Sequence, residues 1–342
     1  MKQMSDVETT TSSRPAFRGF AAASLMACLI SSEHRVETPP VVPQAPTRFK
    51  AALGQCRLFA MNRVVPAAEL FYRRHPISEE QVLDALRRQG KDPAKLSPED
   101  LYEWDQDHYG GLAAVEALTR RAGISADSHV LDVCAGLAGP ARFIAARCAA
   151  RVTCVDLSPE RAAGAKRLTA LVGLDRLVRM VRADAQALPF PRSAFTAVIS
   201  QEGLLHVPDK ARVLDECARV LRTGGRLAFS DWVATPRLSL NERRRLEEWM
   251  AAVSIQTQDS YRRLLARAGF TGILAEDLSE EWMGVLRRRL EMFRGLRAQT
   301  VARLGPRRYE EYNQLYAFFV GLVESRKLGG GRFSAGAGPG IS

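Results

Sequence analysis

The chain has 342 residues, of which 46% are hydrophobic, and its 49 basic and 38 acidic side chains give a formal net charge of +11. This length accommodates one large domain or two modest ones, and the composition excludes a chain too polar to bury a core. Basic charge alone attracts anions without specificity. Because no RNA-binding aromatic platform or zinc knuckle accompanies it, we expect no nucleic-acid partner.

Residues 1–60 are expected to be a disordered extension, or a segment ahead of a later true start such as Met61. The apolar stretch within residues 19–30 has the character of a signal-peptide core, which leaves export or a membrane anchor as the alternative. No apolar run has the length of a membrane span, so we expect no stable membrane association. The six cysteines show no metal-site spacing, and we expect no metal and a reduced, cytoplasmic protein.

Residues 61–120 are predicted to form an N-terminal helical lid. Ser78 and Ser97 each precede acidic residues as helix N-caps do, and Pro98 suits a first helical position.

Strands then alternate with helices through residues 121–278, which predicts an α/β core with a parallel sheet covered on both faces. The predicted strands lie near 129–134, 151–156, 177–183, 195–201, 225–233 and 270–277. Residues 279–335 are predicted to form a cap of two long helices, broken at Gly305-Pro306, and a final strand at 332–334. Residues 336–342 are expected to be a disordered tail.

Acidic residues end the first two predicted strands. Asp132 precedes a turn of small residues, Cys134-Ala135-Gly136, and Asp156 ends the second strand. In a doubly wound sheet the ligand lies across these carboxyl ends, and a carboxylate at the second one can accept both hydroxyls of a ribose. The alternative for Asp156 is a helix cap ahead of Ser158.

The phrases LDVCAGLAGPAR, DAQALPF, SQEGLLHVPDK and ECARVLRTGGRLAFSDW follow in this order along the chain. Together they resemble the class I S-adenosylmethionine-dependent methyltransferases, in particular the branch of the sarcosine/dimethylglycine and phosphoethanolamine N-methyltransferases. The resemblance implies a Rossmann-like seven-stranded sheet whose last strand is antiparallel, and S-adenosyl-L-methionine as cofactor. Cys134 and Ala138 stand where this family commonly has glycine.

The resemblance also implies a set of cofactor-binding positions. The loop at Gly136 would run past the methionine part of the cofactor, and Asp156 would bind the ribose. Asp184 would accept a hydrogen bond from the adenine amino group, although it also suits a turn. Gln201 would flank the path of the methyl group. The full predicted cofactor site is Asp132, Cys134, Ala135, Gly136, Asp156, Leu157, Asp184, Ala185 and Gln201.

For catalysis the resemblance implies His206 as general base, with Tyr109 as its partner closing over the donor from the lid. His108 is an alternative to Tyr109, and a purely structural role is the alternative for His206. Glu202, Trp232 and His108 are expected at the substrate, where Glu202 would favour a cationic amine or be a solvent-facing loop acid.

The predicted activity is methyl transfer to a small molecule by a monomer or homodimer, with an amine nitrogen as the first acceptor and O- or C-methylation of a secondary metabolite as the alternative. A nucleic-acid or protein methyltransferase and a non-catalytic cofactor-binding protein are further alternatives. An NAD-dependent oxidoreductase is disfavoured, since the turn does not carry the full G-x-G-x-x-G pattern and no hydride-transfer constellation follows it. The run Arg287-Arg288-Arg289 is expected on a solvated helix face, and the stripe Tyr309, Tyr312 and Tyr316 as helix packing or as a pocket wall.

Overall fold

The computed structural model describes residues 78–338. Predictions for residues 1–60, for the first part of the predicted lid (61–77) and for the last four residues lie outside this range. The strands are β1 (His129–Val133), β2 (Arg151–Asp156), β3 (Val178–Arg182), β4 (Phe195–Gln201), β5 (Leu221–Ala234), β6 (Phe270–Asp277) and β7 (Leu328–Ala337). The helices are α1 (Glu79–Arg88), α2 (Pro98–Leu101), α3 (Gly111–Arg121), α4 (Gly139–Cys148), α5 (Pro159–Leu171), α6 (Lys210–Val220), α7 (Leu240–Met250), α8 (Gln258–Arg267), α9 (Ser279–Gly295), α10 (Arg297–Leu304) and α11 (Pro306–Glu324).

The seven strands form one sheet in the order β3-β2-β1-β4-β5-β7-β6. The contacts among β1 to β5 are parallel, whereas β7 runs antiparallel to β5 and β6. Both the seven-stranded architecture and the antiparallel last strand are confirmed. The chain proceeds outward from β1 to β3 and then returns to β4 on the other side of β1, so the strand order reverses between β1 and β4. A ligand crevice is expected at the carboxyl ends of these two strands.

The N-terminal helices begin at the predicted caps. Ser78 accepts the backbone N–H of Gln81, whose side chain bonds back to Ser78, and Ser97 and Asp100 form the corresponding box at α2. Helix α1 buries Val82 and Leu86 and packs on α5, while α2 packs on α4. The N-terminal helices are therefore held on the outer surface of the helical layer that covers the sheet.

Two strands extend beyond their predicted limits. Strand β5 begins at Leu221, which pairs with Phe195 before the register shifts to Ala197 and Arg226. Strand β7 continues to Ala337, where its residues are buried between β5 and β6. The expectation of a tail from residue 336 onward is thus wrong for the first two residues, because Gly336 pairs with both β5 and β6 and Ala337 pairs with β6.

The C-terminal cap contains three helices instead of two. The predicted break at Gly305 is present, and a second break at Leu296 separates α9 from α10. Tyr309 stacks on Phe293 with ring centroids 4.9 Å apart, which favours helix packing for the tyrosine stripe. Arg289 is 7% exposed, so the expectation of a solvated arginine run is wrong at that residue. Within residues 78–338, no helix is long and apolar enough to cross a membrane.

Candidate active site

A cavity of about 280 Å³ lies at the carboxyl ends of β1, β2 and β4. All nine residues of the predicted cofactor site line it, and so do His108, Glu202 and His206. Tyr109 and Trp232 do not. The segment between α2 and α3 adds Asp105 and Asp107 to the wall, and α5 adds Arg161.

The turn after β1 contains two non-glycine residues with left-handed backbone. Cys134 has φ 59° and Ala138 has φ 61°. This conformation costs a residue with a β carbon about 1–2 kcal/mol but suits glycine, which explains why glycine is common at both positions in the family that the chain resembles. The turn is nevertheless closed, because Ala138 donates its N–H to the Ala135 carbonyl at 2.8 Å. The two substitutions therefore leave the loop folded.

Asp156 both shapes the turn and faces the cavity. Its Oδ2 accepts the backbone N–H of Gly136 at 2.8 Å, and its Oδ1 accepts that of Ser158 at 2.9 Å. The helix cap predicted as the alternative is Ser158 itself, and the bonds of Asp156 instead fix the turn after β1 and this cap residue of α5. Each carboxylate oxygen keeps a second acceptor site, so the same side chain can also accept hydroxyl groups from a ligand.

Two buried acceptors on the cavity wall have no hydrogen-bond partner among the described residues. They are Oδ2 of Asp132 and Oε1 of Gln201. Asp132 is 2% exposed, and burial, followed by the charge of Asp156, raises its pKa to about 8. Since an unpaired buried acceptor is costly, this wall is suited to a ligand that brings hydrogen-bond donors or positive charge.

The loop after β3 carries Asp184, whose Oδ1 accepts the backbone N–H of Gln186 at 2.8 Å. The predicted turn role of Asp184 is therefore present. The side chain also lines the cavity together with Leu157 and the buried Ala185. Apolar side chains beside a carboxylate suit a flat heterocycle with a polar edge.

His206 lies in a single 3₁₀ turn, Leu204–His206, after β4. Its Nδ1 lies 3.1 Å from the carbonyl oxygen of Ala251. Because a carbonyl can only accept, Nδ1 carries the proton and Nε2 is the basic nitrogen of the neutral ring. This tautomer suits a general base.

A cluster of buried polar side chains lies behind the His206 turn. Asp231, at the end of β5, accepts the backbone N–H of Leu205 at 3.3 Å and the hydroxyl of Tyr261. Lys210 donates to the carbonyl oxygens of Val207, at 3.3 Å, and Ser254. Burial raises the pKa of Asp231 to about 6 and lowers that of Lys210 to about 8. These bonds fix the turn from the side away from the cavity.

Glu202 and His108 both line the cavity, where the segment between α2 and α3 meets the loop after β4. Glu202 has left-handed backbone, and its Oε1 accepts the N–H of Tyr109 at 2.8 Å. Burial raises the pKa of Glu202 to about 8 and lowers that of His108 to about 4. At neutral pH His108 is therefore uncharged, and its low pKa makes it a weaker base than an ordinary histidine.

Tyr109 and Trp232 belong to an aromatic cluster beside the cavity. The Tyr109 ring stacks on Trp282 with centroids 4.9 Å apart, the Arg289 guanidinium lies 4.6 Å from its centroid, and Trp232 meets it edge-on. A guanidinium and an indole thus already occupy the aromatic surface that was expected to face the donor and the substrate. Neither residue lines the cavity in this structure, and their placement at the donor and the substrate stays a prediction.

The cavity is acidic although the protein is basic. Six carboxyl-bearing side chains and one arginine line it: Asp105, Asp107, Asp132, Asp156, Asp184, Glu202 and Arg161. Asp107 pairs with Arg161 at 2.9 Å, and Asp105 pairs with a buried arginine of α4. The remaining carboxyl groups favour a cationic ligand, because a cation bound beside Asp132 and Glu202 lowers their raised pKa values and favours the ionised carboxylates. No group of three or more metal-ligating side chains occurs within residues 78–338.

The chain resembles known methyltransferases in sequence and in fold. A family model described as a methyltransferase domain matches residues 131–229. Over 214 residues the chain is 31% identical to 27-O-demethylrifamycin SV methyltransferase of Amycolatopsis mediterranei, covering 60% of this chain and 79% of the relative. It is also 31% identical to glycine/sarcosine/dimethylglycine N-methyltransferase of Actinopolyspora halophila, covering 53% of this chain but 32% of that relative. The match therefore spans about a third of the length of this second relative.

Among solved structures, phosphoethanolamine N-methyltransferase 2 of Haemonchus contortus in complex with S-adenosyl-L-methionine superposes with a TM-score of 0.62. The sequences are 18% identical, and the match covers 81% of this chain and 61% of that chain. At this identity the similarity is one of fold.

Proposed function

Because the chain belongs to the class I S-adenosylmethionine-dependent methyltransferases, we propose that it transfers a methyl group from S-adenosylmethionine to a small molecule, with an amine nitrogen as the first acceptor class. The observation that carries the proposal is the acidic cavity at the sheet's switch point, lined by all nine residues of the predicted cofactor site. A sulfonium donor and an amine acceptor are both cations, and this cavity attracts cations.

The residues present fit the cofactor. Asp132 and Gln201 offer the unpaired acceptors Oδ2 and Oε1, which suit an ammonium group. Asp156 keeps acceptor capacity for ribose hydroxyls, and Leu157 and Ala185 offer apolar surface for a base. When bound, S-adenosylmethionine supplies a methyl group that its sulfonium charge has already activated.

The chain itself has three tasks in such a reaction. His206, protonated on Nδ1 by its bond to the Ala251 carbonyl, can take a proton from the acceptor at Nε2. Glu202 lines the cavity between the donor pocket and the aromatic cluster, where its carboxylate can orient a cationic acceptor. Asp105, Asp107 and His108 line the cavity from the N-terminal side, where they can exclude water, while alignment of the acceptor supplies most of the remaining rate enhancement.

O-methylation of a secondary metabolite is the second candidate. The Amycolatopsis mediterranei relative, which this chain covers to 79% of its length, is named for an oxygen acceptor. The blocked faces of Tyr109 also remove one surface that would hold an amine by cation–π contact. A neutral hydroxyl acceptor needs a base in the same way, so His206 keeps its role in both cases.

Calorimetric titration of the full chain tests the cofactor. S-adenosylmethionine and S-adenosylhomocysteine are expected to bind at micromolar concentration, whereas NAD and FAD should not bind. An acceptor screen then measures release of S-adenosylhomocysteine with sarcosine, dimethylglycine, phenols and macrolide alcohols. Binding without turnover on any acceptor would favour the non-catalytic alternative, and turnover on RNA or protein alone would overturn the small-molecule assignment.

A further inference from the structure

We propose that the buried ion pair between Asp105 and Arg142 is a positioning device, which acts through Gln106 and His108 to turn the carbonyl oxygen of Gln201 toward the cofactor. The inference rests on the proposed function, since it assigns residues that orient one wall of the same pocket. None of these residues except His108 and Gln201 was predicted at the site.

The ion pair is fully enclosed. Arg142, on α4, donates from Nε and Nη2 to Oδ2 of Asp105 at 3.1 and 2.8 Å. Both side chains have 0% exposure. Arg142 also donates from Nη1 to Oγ1 of Thr169, at 3.1 Å, on the side of α5. A buried pair bonded on both sides holds the segment that follows α2 in one place.

Close backbone packing supports the same placement. A β carbon on Gly139, the first residue of α4, would lie 2.2 Å from the carbonyl oxygen of Asp105. Only glycine lets the two backbones approach this closely. Asp105 is thus fixed by its main chain as well as by its carboxylate.

A chain of hydrogen bonds leads from Asp105 to the cavity. Gln106 Nε2 lies 2.6 Å from Oδ1 of Asp105, and Gln106 Oε1 lies 3.0 Å from Nε2 of His108. The second nitrogen of His108, Nδ1, lies 3.3 Å from Nε2 of Gln201. Gln106 and His108 are 5% and 4% exposed, so water does not offer them other partners.

The ion pair sets the direction of every bond in this chain. Burial raises the pKa of Asp105, but the Arg142 guanidinium, bonded twice to Oδ2, opposes this shift and favours the carboxylate. An ionised Asp105 only accepts, so the amide nitrogen of Gln106 faces it and the amide oxygen faces His108. His108 must then carry its proton on Nε2, and its Nδ1 accepts from the amide nitrogen of Gln201. The carbonyl oxygen of Tyr109, 3.2 Å from Nδ1, can accept from His108 only in the other tautomer.

The last bond leaves Oε1 of Gln201 as the end that has no partner among the described residues. This atom is buried and, like Oδ2 of Asp132, lies on a residue of the cavity wall. Two unpaired acceptors on one wall suit a ligand that brings hydrogen-bond donors, such as the ammonium group of an amino acid. If the relay were reversed, Gln201 would instead present its NH₂ group and repel that ligand.

Two variants of the full chain separate positioning from stability. Gln106→Met removes the relay but leaves the ion pair, whereas Thr169→Val removes a bond to the same arginine on the side away from the cavity. With S-adenosylhomocysteine as the probe in calorimetry, Gln106→Met is expected to weaken binding about tenfold, the equivalent of one lost hydrogen bond to a charged group. Thr169→Val should keep the affinity within about twofold while lowering the urea midpoint of unfolding.

Nitrogen NMR of the histidine side chains supplies a readout that a merely structural role would not change. The wild type should show His108 protonated on Nε2, and Gln106→Met should shift it toward the Nδ1 tautomer that donates to Tyr109. Equal weakening in both variants, or an unchanged tautomer and affinity in Gln106→Met, would overturn the relay. If the wild type does not bind the probe, the proposed function fails, and the tautomer still decides the relay.

Discussion

Replacing Asp132 by asparagine should stabilise the protein and weaken cofactor binding at the same time. Burial raises the pKa of this carboxyl to about 8, compared with about 3.9 in an unfolded chain. The folded protein therefore holds an extra proton between about pH 4 and pH 8, and its stability falls as the pH rises through this window. An asparagine side chain cannot ionise, so the variant should escape this loss.

The size of the effect follows from the two pKa values. Each unit of difference corresponds to about 1.4 kcal/mol. The loss in free energy of unfolding that this carboxyl causes in the wild type therefore grows from about 2 kcal/mol near pH 5.5 to about 5 kcal/mol near pH 8.5. The gain from Asp132→Asn should thus be about 3 kcal/mol larger at the higher pH. The cost of burying the amide itself does not depend on pH and cancels in this comparison.

Urea unfolding of the full chain at both pH values, without ligand, measures this difference. Asp184→Asn is the matched control, because it removes the same charge from the same cavity at a partly exposed carboxylate held in a turn. In parallel, Asp132→Asn should weaken S-adenosylmethionine binding by about tenfold or more, since the variant lacks an acceptor that ionises when an ammonium group binds beside it. A stability difference from wild type that stays constant between the two pH values would refute the reasoning.

Three further changes test other parts of the site. His206→Ala should lower kcat about 100-fold or more while the affinity for S-adenosylhomocysteine changes by less than about threefold; an equal loss of both would mean that His206 is structural. Glu202→Gln should remove a rise in kcat/KM with pH that wild type shows near pH 8 on an amine acceptor, because the pKa of Glu202 is raised to about 8; persistence of that rise in the variant would assign it to another group. Gly203→Ala should cost about 3 kcal/mol in urea unfolding, because the new β carbon would lie 2.4 Å from Cβ of Cys134. Adding Cys134→Gly should recover more than half of this loss, whereas additive effects in the double variant would show that the contact is not the cause.

The strands and the cavity wall could be predicted because their signals are local. Each of the first two strands is an apolar run ending in an acid, Asp132 or Asp156, and the topology rule then places both acids at one crevice. The turn after Asp132 was recognisable because small residues are needed there. Its left-handed backbone at Cys134 and Ala138 is the physical reason that these positions are commonly glycine in the family.

The relay and the aromatic cluster could not be predicted because their contacts are not local. Asp105 and Arg142 are separated by 37 residues, and neither stands in a motif that indicates the other. Tyr109 was placed over the donor on the basis of resemblance alone. The structure instead packs it on Trp282 and Arg289 of α9, a helix whose orientation depends on the whole C-terminal cap.

Backbone strain gives an independent indication of where the protein acts. Seven non-glycine residues within the described range have left-handed backbone, and four of them, Cys134, Ala138, Glu202 and Ala251, belong to the cavity or hold it. Cys134 and Glu202 line it, Ala138 begins the helix behind it, and the Ala251 carbonyl fixes His206. At about 1 kcal/mol each, such conformations persist only where surrounding packing enforces them. Four of these residues lie around one cavity. This is expected if the shape of the cavity determined the backbone there, and the stability of the loops did not.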